Sequence, residues 1–430
     1  MYQQFKDVIS LNTLSFLNVF FGFLFIIYLS KKFGLNEQSD AVFAGITVVI
    51  FLLALPQSLW EALPPHYIKI KAGDNGFVQG LYLQILSLIV LASILIIIFY
   101  FQLSKRYFDN MYFFQFMNIY VYFLLLKSLI TFNNIILNLN SYFKIAITSD
   151  LFVNLTLLIS IYFIHPTDLY VHKIAYAHLF ATIPAIIMQV YIIIKIHEWK
   201  NLKFISNKRL IYIIKSSILI KLGSIIYNFK DIILVAHFSN ATPGLYSIYA
   251  LSLRMASALH RIANAPVLAM YVTSMNNILH NNTKSLGIKL LRQLTKKTIL
   301  LTLILYLFGS ILLFFALPII SRFIEVESML NLQKFLLLSL MYYFAIVMFY
   351  PFYHVLVALH QPMIILSINI IFIILFFVLS KILSDQYLLL SALIFLQLLL
   401  GTSLLAGVSK KLKKHTRSII HFSDLNEHNA

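Results

Sequence analysis

Apolar runs long enough to cross a lipid bilayer follow one another along most of this chain, with short polar breaks between them. A transmembrane helix needs about 20 predominantly apolar residues. The short alternating segments of an outer-membrane barrel do not occur in these runs. The pattern predicts an all-α polytopic membrane protein with about twelve transmembrane helices, near residues 9–30, 41–63, 77–103, 111–139, 145–164, 171–195, 211–239, 244–276, 297–320, 333–359, 363–383 and 387–408.

A polar segment at residues 201–210 divides these spans into two sets with the same orientation. The end of the first span, Leu29 to Gly34, is weakly similar to the end of the seventh, Leu234 to Ser239. Parallel halves around a central site are a known transporter plan. We therefore expect two parallel six-helix lobes around a central cavity: an N-terminal lobe, a cytoplasmic connector, a C-terminal lobe and a basic then polar tail, at 1–200, 201–210, 211–410 and 411–430.

Composition and charge support a membrane protein and exclude an ordinary soluble domain. Of 430 residues, 60% are hydrophobic and 11% are charged, whereas soluble domains have about 25% charged residues. The net charge is +18, and of the 33 basic residues 19 fall in predicted cytoplasmic segments, 8 in outer segments and 6 inside spans. This bias places both termini in the cytoplasm. It also explains the basic charge without nucleic acid, and anionic membrane lipids are the expected partners of the tail at 410–417.

Cations are concentrated in the hairpin of the seventh and eighth spans, which carries Lys215, Lys221, Lys230, Arg254 and Arg261 against one acid, Asp231. At about 1.5 Å of rise per residue, Asp231 lies level with Arg254, which predicts an ion pair. Lys221 lies level with Arg261, and no hairpin acid matches either of them. Arg254 and Arg261 are seven residues apart on one helical stripe, and arginine forks match phosphate oxygens. The pattern therefore predicts that Lys221, Arg254 and Arg261 bind an anionic substrate, in particular a diphosphate.

The fourth span carries a polar stripe along one predicted helix face, formed by Tyr120, Lys127, Thr131, Asn134 and Asn138. One interpretation is a surface for sugar hydroxyls beside a cation, with Lys127, Asn134 and Asn138 as substrate-binding residues. The other is a set of hydrogen bonds to neighbouring helices, which polar side chains in membrane helices commonly form. The sequence leaves both open.

Three acids are candidates for a coupling ion, Na⁺ or H⁺: Asp40, Glu61 and Asp231. The alternative for Asp40 is to cap the second span, because it lies just after Ser39 at the predicted helix start. The alternative for Glu61 is a place at the cytoplasmic interface beside Trp60. The chain has no cysteine, and its histidine spacings fit no metal site, so we expect neither a metal centre nor a bound cofactor. Enzyme signatures such as a phosphate-binding glycine loop are absent from the sequence, which indicates a protein that is not an enzyme.

Two short segments resemble the multidrug/oligosaccharidyl-lipid/polysaccharide exporter superfamily. Residues 33–44, FGLNEQSDAVFA, resemble the junction of spans one and two in lipid II flippases. Residues 244–250, GLYSIYA, followed by Arg254, look like the start of span eight in those proteins and in O-antigen (Wzx-type) flippases. In this resemblance, Asp40 matches the aspartate of the family pattern directly. Arg254 matches its arginine only loosely, because it follows Ala250 by four positions and the family's arginine follows the alanine by two. The first span lacks the arginines of lipid II flippases, and twelve spans are fewer than their fourteen, so the likeness favours the Wzx-type branch.

The resemblance implies a flippase that moves a polyprenyl-diphosphate-linked saccharide across the bacterial inner membrane by alternating access, for surface polysaccharide synthesis. Polysaccharide assembly proteins are candidate partners. Three alternatives stay open: a lipid II flippase for peptidoglycan, a cation-coupled drug exporter of the same superfamily, and a membrane enzyme of envelope polysaccharide assembly. A drug exporter would be expected to line its cavity with acids, and embedded acids are few in this sequence.

The charge bias predicts the orientation of the chain. A reporter fused after Ala430 should be cytoplasmic, and one inserted at Asn240 should be external, because the segment that follows the seventh span crosses to the side with few basic residues. Accessibility of each site to a membrane-impermeant reagent measures this. An external C-terminus would overturn the orientation.

Overall fold

The computed structural model describes residues 2–60, 63–64, 67, 70, 75–107, 111–166, 170–196, 202–238, 241–281, 284–324, 329–358 and 361–427. The long elements in this part of the chain are all α-helices: α1 Tyr2–Phe33, α2 Glu37–Gln57, α3 Asn75–Tyr107, α4 Met111–Tyr120, α5 Phe123–Leu139, α6 Phe143–Phe163, α7 Tyr170–Ile196, α8 Asn207–Phe238, α9 Leu245–Asn281, α10 Lys284–Ile324, α11 Met329–Ala358, α12 Pro362–Ile382 and α13 Gln386–Glu427.

The predicted all-α membrane fold with about twelve spans is confirmed. In the described residues, ten helices are long and apolar enough to cross a membrane, and α4 with α5 forms an eleventh span bent by 45°. The remaining predicted span coincides with α9, a 37-residue helix that is not among the helices apolar enough to pass this test. Each helix lies at a predicted span, because long apolar runs in a bilayer must satisfy their backbone groups within the helix.

Two predicted boundaries were wrong. The second span was expected to continue to residue 63, but α2 ends at Gln57, with Pro56 in its last turn. The connection expected at 277–296 is helical on both sides of residues 282–283, because α9 continues to Asn281 and α10 begins at Lys284. Hydropathy locates apolar runs, and these runs show neither where α2 ends nor how far α9 and α10 continue into polar sequence.

The bend between α4 and α5 also divides the predicted polar stripe of the fourth span. The backbone N–H of Tyr122 donates to Ile119 and that of Leu124 donates to Val121. These are the i to i+3 hydrogen bonds of a tight turn, which interrupts the α-helical repeat. The sequence pattern predicted one continuous helix face from Tyr120 to Lys127. Because of the bend, these two residues do not share such a face.

The chain forms two compact units, the first comprising residues 1–251 and 321–328 and the second 252–320 and 329–430. In unit 1, α1 packs against α6, α6 against α7, and α2 against α8. In unit 2, α13 packs against α11 and α12. In this grouping, α8 and the first turns of α9 belong with the N-terminal helices. The division at 201–210 stays a prediction.

Polar contacts fix the long packing of α1 on α6. The ammonium of Lys32 donates to the backbone carbonyls of Ile161 and Tyr162, at 2.8 and 2.6 Å. These carbonyls belong to the last turn of α6, the negative end of the helix dipole, which attracts positive charge. Further along α1, the Asn154 amide donates to Oδ1 of Asn18 at 2.7 Å. The end and the middle of α1 are thus both tied to α6.

The connector after residue 201 is held against α3. The N–H of Lys203 donates to the carbonyl of Gly76 at 3.1 Å, and the Gln84 amide bonds both backbone groups of Ile205, at 3.2 and 3.3 Å. The Lys203 carbonyl comes so close to Gly80 that a Cβ there would lie 2.1 Å from its oxygen. Only glycine permits this approach without a shift of the backbone.

We expect Gly80→Ala to displace the connector and lower stability by about 1–3 kcal/mol, the usual cost of overpacking. The thermal midpoint of the detergent-solubilised protein measures the change. Gly22→Ala is the matched control, because its Cβ would meet only the Asn154 side chain, at 3.3 Å. Equal midpoints for the two variants would contradict the close approach.

Candidate functional site

The corner between α1 and α2 is built from the first of the two segments that carry the superfamily resemblance. Gly34 has a positive φ of 75° and ends α1. Asn36 then caps α2, because its side-chain oxygen accepts from the N–H groups of Gln38 and Ser39. The Tyr170 hydroxyl also donates to this oxygen, at 3.2 Å. The helix cap expected at Asp40 is therefore supplied by Asn36, four residues earlier.

Asp40 instead caps α9, which begins more than 200 residues later. One carboxylate oxygen accepts from the N–H of Gly244 at 2.7 Å. The other accepts from the N–H and the hydroxyl of Ser247, at 2.6 and 2.5 Å. A carboxylate at a helix N-terminus gains both charge-assisted hydrogen bonds and a favourable interaction with the helix dipole. Asp40 is thus a helix cap, at α9 and not at α2, and its role with a coupling ion stays a prediction.

Gly244 allows this junction to close. Its φ is +85°, and a Cβ at this position would lie 2.2 Å from the carbonyl oxygen of Leu35. Farther along the same two helices, the hydroxyls of Thr47 and Tyr246 lie 3.0 Å apart. The two segments that resemble the superfamily therefore contact each other, through the Asp40 carboxylate and through close backbone packing.

A second polar group connects α5, α6 and α7 within unit 1. Asp150 accepts from Lys127 at 2.9 Å through one oxygen and from the Asn134 amide at 3.0 Å through the other. The Asn134 oxygen accepts in turn from Ser149 and from Gln189, at 3.3 and 2.7 Å. Asn134 and Lys127 are thus brought together as predicted, in contacts between helices. The side chains of Lys127 and Asp150 remain 30% and 28% exposed, so a ligand at the protein surface can reach the pair.

The other members of the predicted stripe lie apart from this group. Asn138 is exposed near the end of α5. Tyr120 is buried and stacks between Phe116 and Phe123, with the ring of His178 edge-on at 5.1 Å. Asp150, which the site prediction did not include, holds the group together. The sequence signal for this role was the presence of Asp150 in the span that follows Lys127, which is the only cation in its own span.

The cations of α8 differ in their surroundings. Lys230 is buried, lies 4.3 Å from the centre of the Tyr227 ring and forms an ion pair with Asp231 at 3.0 Å. This pair with the adjacent lysine was not predicted, and the expected pair of Asp231 with Arg254, which lies in unit 2, stays a prediction. A long, flexible lysine can reach its neighbour even though consecutive residues point to different sides of a helix. Lys221 is half-buried, two and a half turns earlier on the same helix.

The two arginines of α9 belong to unit 2. The helix is continuous from Leu245 to Asn281, so the spacing of seven does place Arg254 and Arg261 on one side of it. Arg254 is half-buried and Arg261 is exposed. Lys221 lies in unit 1, and its match in depth with Arg261 stays a prediction. Glu61, a candidate for the coupling ion, lies outside the described residues.

Unit 2 also contains an apolar groove between α10 and α11, with a volume of about 480 Å³. Its lining includes Tyr306, Phe315, Leu337 and Met341, and no charged residue lines it. A groove of this kind suits hydrocarbon and not an anion.

No known protein-family profile and no curated protein sequence matches the chain. Solved structures do match it. An inward-facing multidrug resistance MATE family transporter of the MOP superfamily superposes with a TM-score of 0.73 at 13% identity, covering 93% of this chain and 96% of that one. The lipid II flippase MurJ, in an inward closed conformation, gives 0.72 at 16% identity over 93% and 87%.

The chain has the fold of the MOP superfamily. The resemblance inferred from residues 33–44 and 244–250 is thereby confirmed for the fold. A third MOP structure, from Pyrococcus furiosus, is described as having a binding pocket of reversed polarity that suggests a different function, and it gives a TM-score of 0.61 at 14% identity over 95% and 96%. These neighbours are described as transporters and a flippase, and their shared fold, together with the apolar helices, makes the chain a multi-pass membrane protein.

The Asp40 contact predicts a specific loss of stability. Asp40→Asn removes the charge and turns one of the two acceptors into a donor facing an N–H, so we expect a loss of about 1.5–3 kcal/mol, as for hydrogen bonds to charged groups. Thermal midpoints of Asp40→Asn, Ser247→Ala and the double variant measure the coupling. Glu37→Gln is the control, since it removes an exposed acid from the same turn. Strictly additive losses for Asp40 and Ser247 would show that the two do not interact.

Proposed function

We propose that the chain is a flippase for a polyprenyl-diphosphate-linked saccharide, which it moves across the bacterial inner membrane by alternating access for surface polysaccharide synthesis. The substrate is the anionic lipid-linked glycan, and polysaccharide assembly proteins are the proposed partners. We propose no cofactor. Both termini lie in the cytoplasm in this proposal.

The observation that carries the proposal is the state of the embedded acids. Asp40 binds the start of α9, Asp150 binds Lys127 and Asn134, and Asp231 binds Lys230. Each of these carboxylates already has its own donors. A cavity that binds cationic drugs needs carboxylates to receive them, and charged groups in membrane helices face a cavity or a partner. The engaged acids therefore favour an anionic substrate over a cationic one.

The cations of α8 and α9 are the proposed anion-binding groups. Arg254 and Arg261 share one side of the most polar span, where two guanidinium forks two turns apart can each receive phosphate oxygens. Lys221 adds a point charge from α8. Lys127 and Asn134 already donate hydrogen bonds to Asp150. We propose that they bind the saccharide only when its hydroxyl groups replace that carboxylate as acceptors. Asn138 is exposed and is retained as a weaker candidate.

A lipid II flippase is the second candidate, because MurJ shares the fold over most of its length. Its substrate would also be a lipid diphosphate carrying sugars, so the same cations would serve it. The first span of this chain carries no arginine between residues 9 and 30, which favours the polysaccharide pathway. For coupling to Na⁺ or H⁺, Asp231 is the accessible candidate, since its side chain is 33% exposed beside Lys230.

Substitution of Arg261 tests the proposed anion site. We expect Arg261→Ala and Lys221→Ala to reduce flipping of a fluorescent polyprenyl diphosphate in proteoliposomes by at least about tenfold, with near-normal amounts of inserted protein. Arg261→Lys should keep part of the activity, because an ammonium keeps the charge and loses the bidentate fork.

Lys215→Ala is the matched control, since Lys215 is exposed near the cytoplasmic end of α8. It should flip the probe at the wild-type rate. Full transport by the double variant Lys221→Ala with Arg261→Ala would rule out these cations as the substrate site.

A further inference from the structure

Five rings of unit 2 form one cluster between α9 and α11. His260 of α9 lies 5.1 Å from the Tyr343 ring and 6.5 Å from the Tyr350 ring, between centroids. Tyr350 lies 4.8 Å from His354 and 6.0 Å from Tyr353, whose ring is parallel to it within 3°. The Tyr353 and His354 rings are 5.5 Å apart. We name these five residues the ring cluster.

The spacing of the ring cluster places it on one side of α11. Residues 343, 350 and 354 are separated by seven and four positions, which is the repeat of a single helix face. All five side chains are partly exposed, neither fully buried nor fully open. A packed core of aromatic rings would be closed, as at Tyr120 and Phe116, which are 2% and 0% exposed. The ring cluster therefore forms a wall that a ligand can reach.

Among the described residues, two imidazole nitrogens in this wall have no hydrogen-bond partner. They are Nδ1 of His260 and Nε2 of His354, and both are buried. Buried polar atoms in proteins are nearly always satisfied, and an unsatisfied one costs about 1–3 kcal/mol. Two such atoms within one cluster indicate that a ligand group supplies the missing bonds. An imidazole nitrogen bonds well to a hydroxyl group, as acceptor or as donor.

The charge around the ring cluster limits the kind of ligand. Stacked tyrosines also suit organic cations, which aromatic faces attract. However, the cluster has no carboxylate, and Arg261 directly follows His260 while Arg254 precedes it by six residues. The guanidinium of Arg261 repels a cationic ligand. A neutral ligand with flat apolar faces and several hydroxyl groups fits the rings, the imidazoles and the nearby positive charge together.

We propose that the ring cluster binds the saccharide part of the transported lipid. A pyranose ring packs its C–H face on Tyr350 and Tyr353, while its hydroxyls bond to the free nitrogens of His260 and His354. The diphosphate of the same molecule is received by the arginines of α9. This inference rests on the proposed function and adds to it a separate site for the sugar.

Two probes distinguish the sugar site from the diphosphate site: undecaprenyl diphosphate, and undecaprenyl diphosphate carrying one N-acetylglucosamine. Binding of each to the purified full-length protein in nanodiscs is measured. We expect the glycosylated probe to bind wild type about tenfold more tightly than the bare one, as for one good stacking contact. Tyr350→Leu should abolish this difference, and Tyr350→Phe should keep most of it, because the ring remains.

Met341→Leu is the matched control, because Met341 is exposed and points away from Tyr350 by about half a turn of α11. It should leave both affinities unchanged, and thermal midpoints check that every variant is folded. Equal affinity of wild type for the two probes, or a difference that survives Tyr350→Leu, would overturn the sugar site and leave the proposed function standing. Failure of wild type to bind either probe would overturn the proposed function itself.

Discussion

The carboxylate of Asp40 at the start of α9 is the contact on which the arrangement of unit 1 depends. It connects a corner near the N-terminus with a helix 204 residues later, so its formation orders a long stretch of chain. Its two oxygens accept three hydrogen bonds from Gly244 and Ser247, and an apolar residue could supply none of them. This contact also explains why the first compact unit continues through α8 and ends at Leu251. Gly34 and Gly244 supply the positive φ angles that bring the two backbones together.

The same physical rule accounts for the other acids in the spans. A lone charge in a membrane helix costs about 2.5–3.5 kcal/mol or more, so it acquires a partner or faces water. Asp150 receives Lys127 and Asn134, and Asp231 receives Lys230. Asp40 and Asp150 thus connect different helices, whereas the pair of Asp231 with Lys230 lies within α8. In the proposed function, the positive side chains of α8 and α9 determine the charge of the ligand.

The helix α9 combines three tasks along its length. Its first turn is held by Asp40, its arginines form one stripe, and His260 reaches the tyrosines of α11. His260 and Arg261 are consecutive and therefore point about 100° apart around the helix. Two neighbouring faces of one helix thus offer a cation and an aromatic surface. A lipid-linked saccharide has the matching pair of groups, an anionic diphosphate joined to an uncharged sugar.

Local sequence patterns determined the helices of this protein. Twelve spans, the membrane class and the spacing of Arg254 and Arg261 follow from hydrophobicity and helical periodicity, because a bilayer forces each apolar run to satisfy its own backbone hydrogen bonds. The two short segments that resemble the MOP superfamily were also visible in the sequence. The bend at residues 121–122 was not, since the apolar run continues through it.

Only the tertiary structure decided which polar groups meet. The ion pair of Asp231 with the adjacent Lys230 was not predicted from the sequence, and the pair of Asp231 with Arg254 stays a prediction. Asp40 was assigned to its own helix, whereas it caps α9. The ring cluster was missed altogether, because His260 and the residues 343–354 are far apart in the chain and carry no shared motif. Side-chain partners across helices depend on helix rotation and reach, which a one-dimensional pattern of hydrophobicity does not contain.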